Sequence, residues 1–122
     1  MKYRLTEEAL EVEDHILHRI KAIRSFSDVK KGDLGGWVEE ESNLSHDGNC
    51  WIYNNAKAFN NAKVYGDAVI YNEAIIRDSA HIYDNMRAFN GVNISGNARV
   101  YGNAILSGNA VIGDRANVYG NA

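Results

Sequence analysis

The chain has 122 residues, with 13 Lys and Arg against 16 Asp and Glu and a formal net charge of -3. That length allows one domain with a modest core. Split at residue 48, the first part carries 7 basic and 11 acidic residues and the second 6 basic and 5 acidic. Neither is a basic block, which excludes backbone-driven binding to a DNA or RNA polymer. The single cysteine, Cys50, excludes an internal disulfide. No apolar run is long enough to span a bilayer, and Met1-Lys2-Tyr3-Arg4 does not open a signal peptide, so the cytoplasm is the expected compartment.

Residues 1–47 are mixed in charge, and the stretch from Ala9 to Phe26 admits two readings. As a helix, Ala9, Val12, Ile16, Ile20 and Ile23 form an apolar stripe with Thr6 as N-cap, and spacing alone leans this way. As a hairpin, Glu13-Asp14-His15 is a polar turn between two strands, the second rich in β-branched residues. Further on, Trp37 and Val38 follow the flexible pair Gly35-Gly36, and then comes Leu44.

From Gly48 the chain becomes one hexapeptide written twelve times, from GNCWIY (48–53) to DRANVY (114–119), followed by a half-unit GNA. A strand alternates its side chains between two faces. The third position (Ala56, Ala62, Ala68, Ala98) and the fifth (Ile52, Val64, Ile70, Ile82) therefore share an inward face, while the fourth and sixth face out. The first two positions are largely Gly, Asn or Asp, which accept turn backbone at low cost. Each unit reads as a short strand and a corner. Such strands bury little alone, so the repeat predicts a solenoid, three hexads to a coil of 18 residues, with about four coils spaced by roughly 4.8 Å.

Two core positions break the pattern. Met86 stands at a small site and Ala88 at a large one, a volume-conserving exchange. At 54–59 both inward positions, Ala56 and Ala58, are small, and Phe59 is expected to fill the space. Cys50 occupies a small inward position and is expected in the core.

The hexads resemble those of left-handed β-helix hexapeptide proteins, a resemblance that covers about 75 of the 122 residues and implies the handedness. Leu17-His18-Arg19-Ile20, the run from Asp28 to Val38, Asn43-Leu44-Ser45 and Cys50-Trp51 resemble the entry segment of the YdcK-like repeat proteins of prophages and enterobacteria. That resemblance implies a β-rich lead-in, hence the hairpin reading, and a phage or prophage origin. The expected fold is all-β: a small N-terminal cap (1–47) on a triangular left-handed solenoid (48–122). The lead-in would cover the open end of the first coil, with Trp37, Val38 and Leu44 as plug.

An 18-residue period sorts the outward residues into three faces. Trp51, Tyr53, Val69, Tyr71, Phe89 and Ile105 make the least polar face, expected to pack against the lead-in or a second subunit. Lys63, Tyr65, His81, Tyr83, Arg99, Tyr101 and Tyr119 make a tyrosine ladder beside a basic column, which cross-strand stacking explains. The same column is the candidate ligand site, for stacking a base or sugar and pairing a phosphate. The sequence stops mid-unit at Gly120-Asn121-Ala122, so the expectation is either association with another copy, through that end or the apolar face, or a longer array of which this is a part.

Many proteins of the hexapeptide β-helix family are acyltransferases, with a His base and loops extruded between hexads, but the resemblance here carries fold and not activity. Here no loop interrupts residues 48–119, and His81 has no Asp or Glu in its own unit to orient it. His15, His18 and His46 lack metal-ligand spacing and are expected at the surface. These observations predict no enzyme, no catalytic residue, no metal and no cofactor. The expected function is a non-enzymatic, oligomeric phage binding protein that takes a nucleotide-like anion or a host defence protein. A polymerising scaffold and, after it, an acyltransferase-like enzyme are the alternatives.

Overall fold

The computed structural model describes residues 1–120, so Asn121 and Ala122 of the expected open end lie outside the described residues. Every hexad starts on a residue with positive φ, from Gly48 (71°) through Asn54 (57°), Asp78 (58°) and Asp84 (60°) to Gly120 (72°). This left-handed backbone is open to Gly and tolerated by Asn and Asp, which explains why only those residues appear there. The carboxamide or carboxylate at these corners has a second role. Asn54 Oδ1 accepts the Asn72 N–H at 3.0 Å, Asn72 Oδ1 accepts the Asn90 N–H at 3.0 Å, and Asp78 and Asp84 accept the N–H groups of Gly96 and Gly102 at 2.9 and 3.1 Å. Each such bond ties one coil to the next.

Between corners lie twelve two-residue strands, stacked in parallel with an 18-residue register. β4 (Trp51–Ile52), β7 (Val69–Ile70), β10 (Arg87–Ala88) and β13 (Ile105–Leu106) form one sheet. β6 (Lys63–Val64), β9 (His81–Ile82), β12 (Arg99–Val100) and β15 (Asn117–Val118) form the second. The third holds β5 (Lys57–Ala58), β8 (Ile75–Ile76), β11 (Asn93–Ile94) and β14 (Val111–Ile112). In a hexad such as 54–59, the N–H groups of Asn55, Lys57 and Phe59 donate to the carbonyls of Asn72, Ala74 and Ile76 on the next coil. The third and fifth positions line one buried core from Cys50 to Ala104, with Met86 and Ala88 both fully buried.

The lead-in is a hairpin, β1 (Tyr3–Val12) and β2 (His15–Ala22), antiparallel and joined at Glu13 (φ 49°) and Asp14 (φ 69°). Two consecutive positive-φ residues make the tight turn whose twist suits a hairpin. Helical spacing of the apolar residues loses here to strand pairing. β3 (Leu34–Val38) pairs antiparallel with β2 on one edge and parallel with β5 on the other. The lead-in thus adds an incomplete coil to the four of the hexads, giving about five turns. Val38 lies over Ala58 and Leu44 over Val64, both fully buried, and extend the inward columns. Trp37, one residue out of phase, faces outward instead.

Two expectations need correction. Gly35 and Gly36 are buried, and flexibility is not what selects them. A Cβ at Gly35 would meet the Ile52 carbonyl at 2.7 Å, and one at Gly36 would run into the Ala56 carbonyl, so β3 can lie on the first coil only without side chains there. Phe59 does not fill the space beside Ala56 and Ala58. It points outward, into a second small core with Leu17 and Trp37, against which Leu10, Val12 and Ile75 pack.

The lead-in is clipped to the solenoid by polar contacts. Asn43 is fully buried with its amide saturated: Oδ1 accepts from the N–H groups of Glu39 and Glu40, and Nδ2 donates to the carbonyls of Asn60 and Ala62. Arg19 lies 4.4 Å over the Trp37 ring and donates to the Gly35 carbonyl at 2.7 Å and to Asn55 Oδ1 at 3.1 Å. Arg77 meets Glu13, at the hairpin tip, at 2.6 Å.

Ile82 is fully buried in the middle of the stack. Replacing it with Asp places an unpaired charge among apolar columns, at a cost above about 4 kcal/mol. Ile82→Asp is expected to lose the cooperative thermal transition in circular dichroism, while a folded variant would mean that the inward and outward faces are reversed.

Candidate functional site

The apolar face divides in two. Trp51 is 1% exposed, covered by the edge of Phe26 at 5.3 Å and by Tyr3 at 6.1 Å between ring centroids. Tyr53 is half-buried and donates to Asp28 Oδ1 at 2.6 Å, its own ionisation pushed up first by burial and then by that carboxylate. The lead-in therefore covers this face at the first coil. Val69, Tyr71 and Phe89 are half-buried or buried against their neighbours, and Ile105 is 55% exposed.

On the basic face, Tyr65, Tyr83, Tyr101 and Tyr119 stack with centroids 4.9, 5.1 and 5.4 Å apart and planes within 13° of parallel. Their faces are turned on one another, so along the ladder they offer edges and hydroxyls to a ligand. Lys63 and Arg99 are exposed on either side of the half-buried His81. Burial and then the cations Arg99 and Lys63 lower the His81 pKa from its ordinary value, which keeps the imidazole neutral at pH 7. Its Nδ1 lies 3.3 Å from the Tyr65 hydroxyl.

The other histidines are half-buried and bonded, a correction to the surface expectation, and their partners fix their tautomers. His46 Nδ1 accepts the Lys2 backbone N–H at 3.1 Å, so Nε2 carries the proton and donates to Glu41 at 2.8 Å. Its ring also stacks on Tyr3 at 4.2 Å. Both nitrogens are consumed in holding the lead-in. His18 Nδ1 donates to the Thr6 carbonyl at 3.2 Å.

His15 is different. Its Nδ1 lies 2.8 Å from Glu39 Oε2, and Glu39 Oε1 accepts the Asn60 N–H at 2.8 Å. Burial pushes the Glu39 carboxyl up, but the bonds from His15 and Asn60 prevail and hold it below its ordinary value. An ionised carboxylate only accepts, so His15 carries its proton on Nδ1. In the neutral ring Nε2 then holds a lone pair without a partner among the described residues. Carboxylate, imidazole and free lone pair in that order are the parts of an oriented general base. His15 and Glu39 line a cavity of about 540 Å³ with Glu40, Asn60, Asn61, Asp78 and Ser79. Asn60-Asn61 and Asp78-Ser79 are corners that lead directly into Lys63 and His81, so the cavity and the basic column are neighbours around one edge of the prism.

Sequence reasoning missed this pair because it sought an orienting carboxylate only for His81, within its own unit, and weighed His15 only for metal-ligand spacing. His15 and Glu39 are 24 residues apart, brought together because Asn43 folds the Glu39-Glu40 backbone onto the first coil. Among the described residues no cluster of three metal-ligating side chains is found, and no helix is long and apolar enough to cross a membrane.

The fold and repeat define a hexapeptide β-solenoid with an oriented His–Glu pair at the junction with its cap. No family model matches the chain. The chain is similar to the uncharacterized acetyltransferase YdcK of Escherichia coli (strain K12), at 43% identity in an alignment 61 residues long that covers 43% of this chain and 19% of that protein. It thus spans about a fifth of the length of that relative. This finding overturns two expectations. A match to a bacterial protein named as an acetyltransferase speaks against a non-enzymatic phage binder, and it also speaks against excluding catalysis. The exclusion had weighed the uninterrupted hexads and His81 alone, and left out the His15–Glu39 contact in the cap.

The environment of His81 is open to a direct check. Its NMR titration midpoint is expected below the ordinary histidine value of about 6.5, and Arg99→Ala should move it upward. A midpoint that is unmoved by Arg99→Ala would contradict the coupling.

Proposed function

We propose that this protein is an acyltransferase that moves an acetyl group from a thioester donor to a small nucleophile, with His15 as general base. The observation that carries the reading is the 2.8 Å bond that His15 Nδ1–H donates to Glu39 Oε2, on the wall of a cavity. The likeness to a protein named as an acetyltransferase supports the reaction class.

In this reading His15 Nε2 takes the proton from the acceptor's hydroxyl or amine as that atom attacks the thioester carbonyl. Glu39 stabilises the imidazolium so formed. The tetrahedral oxyanion accepts hydrogen bonds from the Asn61 amide and the Ser79 hydroxyl on the cavity wall. When the intermediate collapses, the C–S bond breaks and the imidazolium proton goes to the departing thiolate. The products are the acylated acceptor and a free thiol. Lys63 and Arg99, with neutral His81 between them, supply positive charge and donors for the phosphate groups of a carrier-type thioester. The tyrosine hydroxyls flank that path.

Acetyl coenzyme A and a panel of small amines and alcohols test the proposal by release of free thiol. His15→Asn is expected to lower kcat by about 10²-fold or more, and Glu39→Gln by less. Lys63→Ala and Arg99→Ala should raise KM for the donor with little change in kcat. Absence of transfer to every acceptor, or an unchanged kcat in His15→Asn, would overturn the assignment.

A further inference from the structure

Lys2 is fully buried, which is exceptional for a lysine that has no carboxylate partner among the described residues. Its Nζ donates to the Cys50 carbonyl at 2.6 Å and reaches the Gly48 carbonyl at 3.4 Å. It also lies 3.3 Å from Cys50 Sγ and 4.9 Å from the centre of the Phe26 ring. The thiol is fully buried as well, close to the carbonyls of Ser45 and Asp47. An amine and a thiol are thus held in contact, in one geometry, where the first strand meets the first hexad. Neither belongs to the cavity or the basic column, so the chemistry of this pair is independent of the proposed activity.

We propose that Lys2 and Cys50 form a redox-reversible covalent bridge, Nζ–O–Sγ, with a peroxide or dioxygen as oxidant. The geometry meets two requirements of such a bond. Nitrogen and sulfur are already in van der Waals contact. Removal of the lysine from water favours the neutral amine, whose lone pair forms the bond: burial lowers the Lys2 pKa, only partly offset by Cys50.

The balance is closed. One thiol, one amine and one dioxygen give the bridge and one water. The S–H bond and one N–H bond break, S–O and O–N bonds form, sulfur and nitrogen lose two electrons each, and dioxygen takes up four. With hydrogen peroxide, two equivalents are consumed and three waters leave; the first forms the sulfenic acid, the opening step of thiol oxidation. A dithiol reductant returns thiol and amine. The consequence is mechanical. Oxidation would fasten the start of β1 to Cys50, on the coil that the cap covers, and so resist opening of the solenoid at that end.

The test is intact-mass spectrometry and peptide mapping of the full chain before and after hydrogen peroxide. The expected product has gained one oxygen and lost two hydrogens, joins the peptides of Lys2 and Cys50, reverts with dithiothreitol, and unfolds at a higher temperature than the reduced protein. Lys2→Arg, which keeps a cation but no primary amine, and Cys50→Ser should not form it. Sulfoxide at the exposed Met1 reports that the oxidant has acted. Sulfinic acid at Cys50 beside a free Lys2, or an unmodified Cys50 once Met1 is oxidised, would overturn the proposal.

Discussion

A left-handed backbone corner every six residues is the constraint on which the rest of the molecule depends. It turns the chain after each two-residue strand, so that three strands bring it back to its starting point after 18 residues. Stacking then does two things together. It satisfies the backbone donors of one coil with the carbonyls of the next, and it sets like positions in columns. Small third-position and branched fifth-position residues become one continuous core. The corner Asn and Asp side chains reinforce the same register by accepting N–H groups from the following coil. An error in register would cost all of these at once, which is why so short a repeat specifies one structure.

The columns supply regularity, and the cap supplies what is particular to this protein. β3 continues one sheet, Leu44 continues another column, and the hairpin tip reaches the outer face at Arg77. Because the cap is held by a saturated buried amide at Asn43 and by Glu39 on the Asn60 N–H, the carboxylate has little freedom. It presents its other oxygen to His15. The same economy appears at Lys2 and His46, whose side chains anchor the first strand to Cys50 and to Glu41.

The periodic part was legible in the sequence because each of its positions has a local physical reason. Gly, Asn or Asp opens every unit, and the period of 18 predicts both the tyrosine ladder and the Tyr53–Tyr71–Phe89 stack, whose centroids lie 4.5 and 4.8 Å apart. The cap was legible only through resemblance, since its apolar spacing suits a helix as well as a hairpin. Contacts between cap and solenoid were not legible at all. The burial of Trp51 under Phe26, the outward turn of Phe59 to Trp37 and Leu17, and the approach of Glu39 to His15 join residues from different elements with no shared period. Reading each hexad alone gave His81 as the only solenoid histidine without a carboxylate and hid the pair in the cap.

The central claim is that the stack and its cap hold His15 as an oriented base with Nε2 free. Nitrogen-15 NMR of the histidine rings near neutral pH addresses it without any knowledge of substrate. Neutral His15 is expected as the Nδ1–H tautomer, with that proton slow to exchange, and Glu39→Gln is expected to abolish this preference. A His15 ring that is mainly the Nε2–H tautomer, or one indifferent to Glu39→Gln, would contradict it.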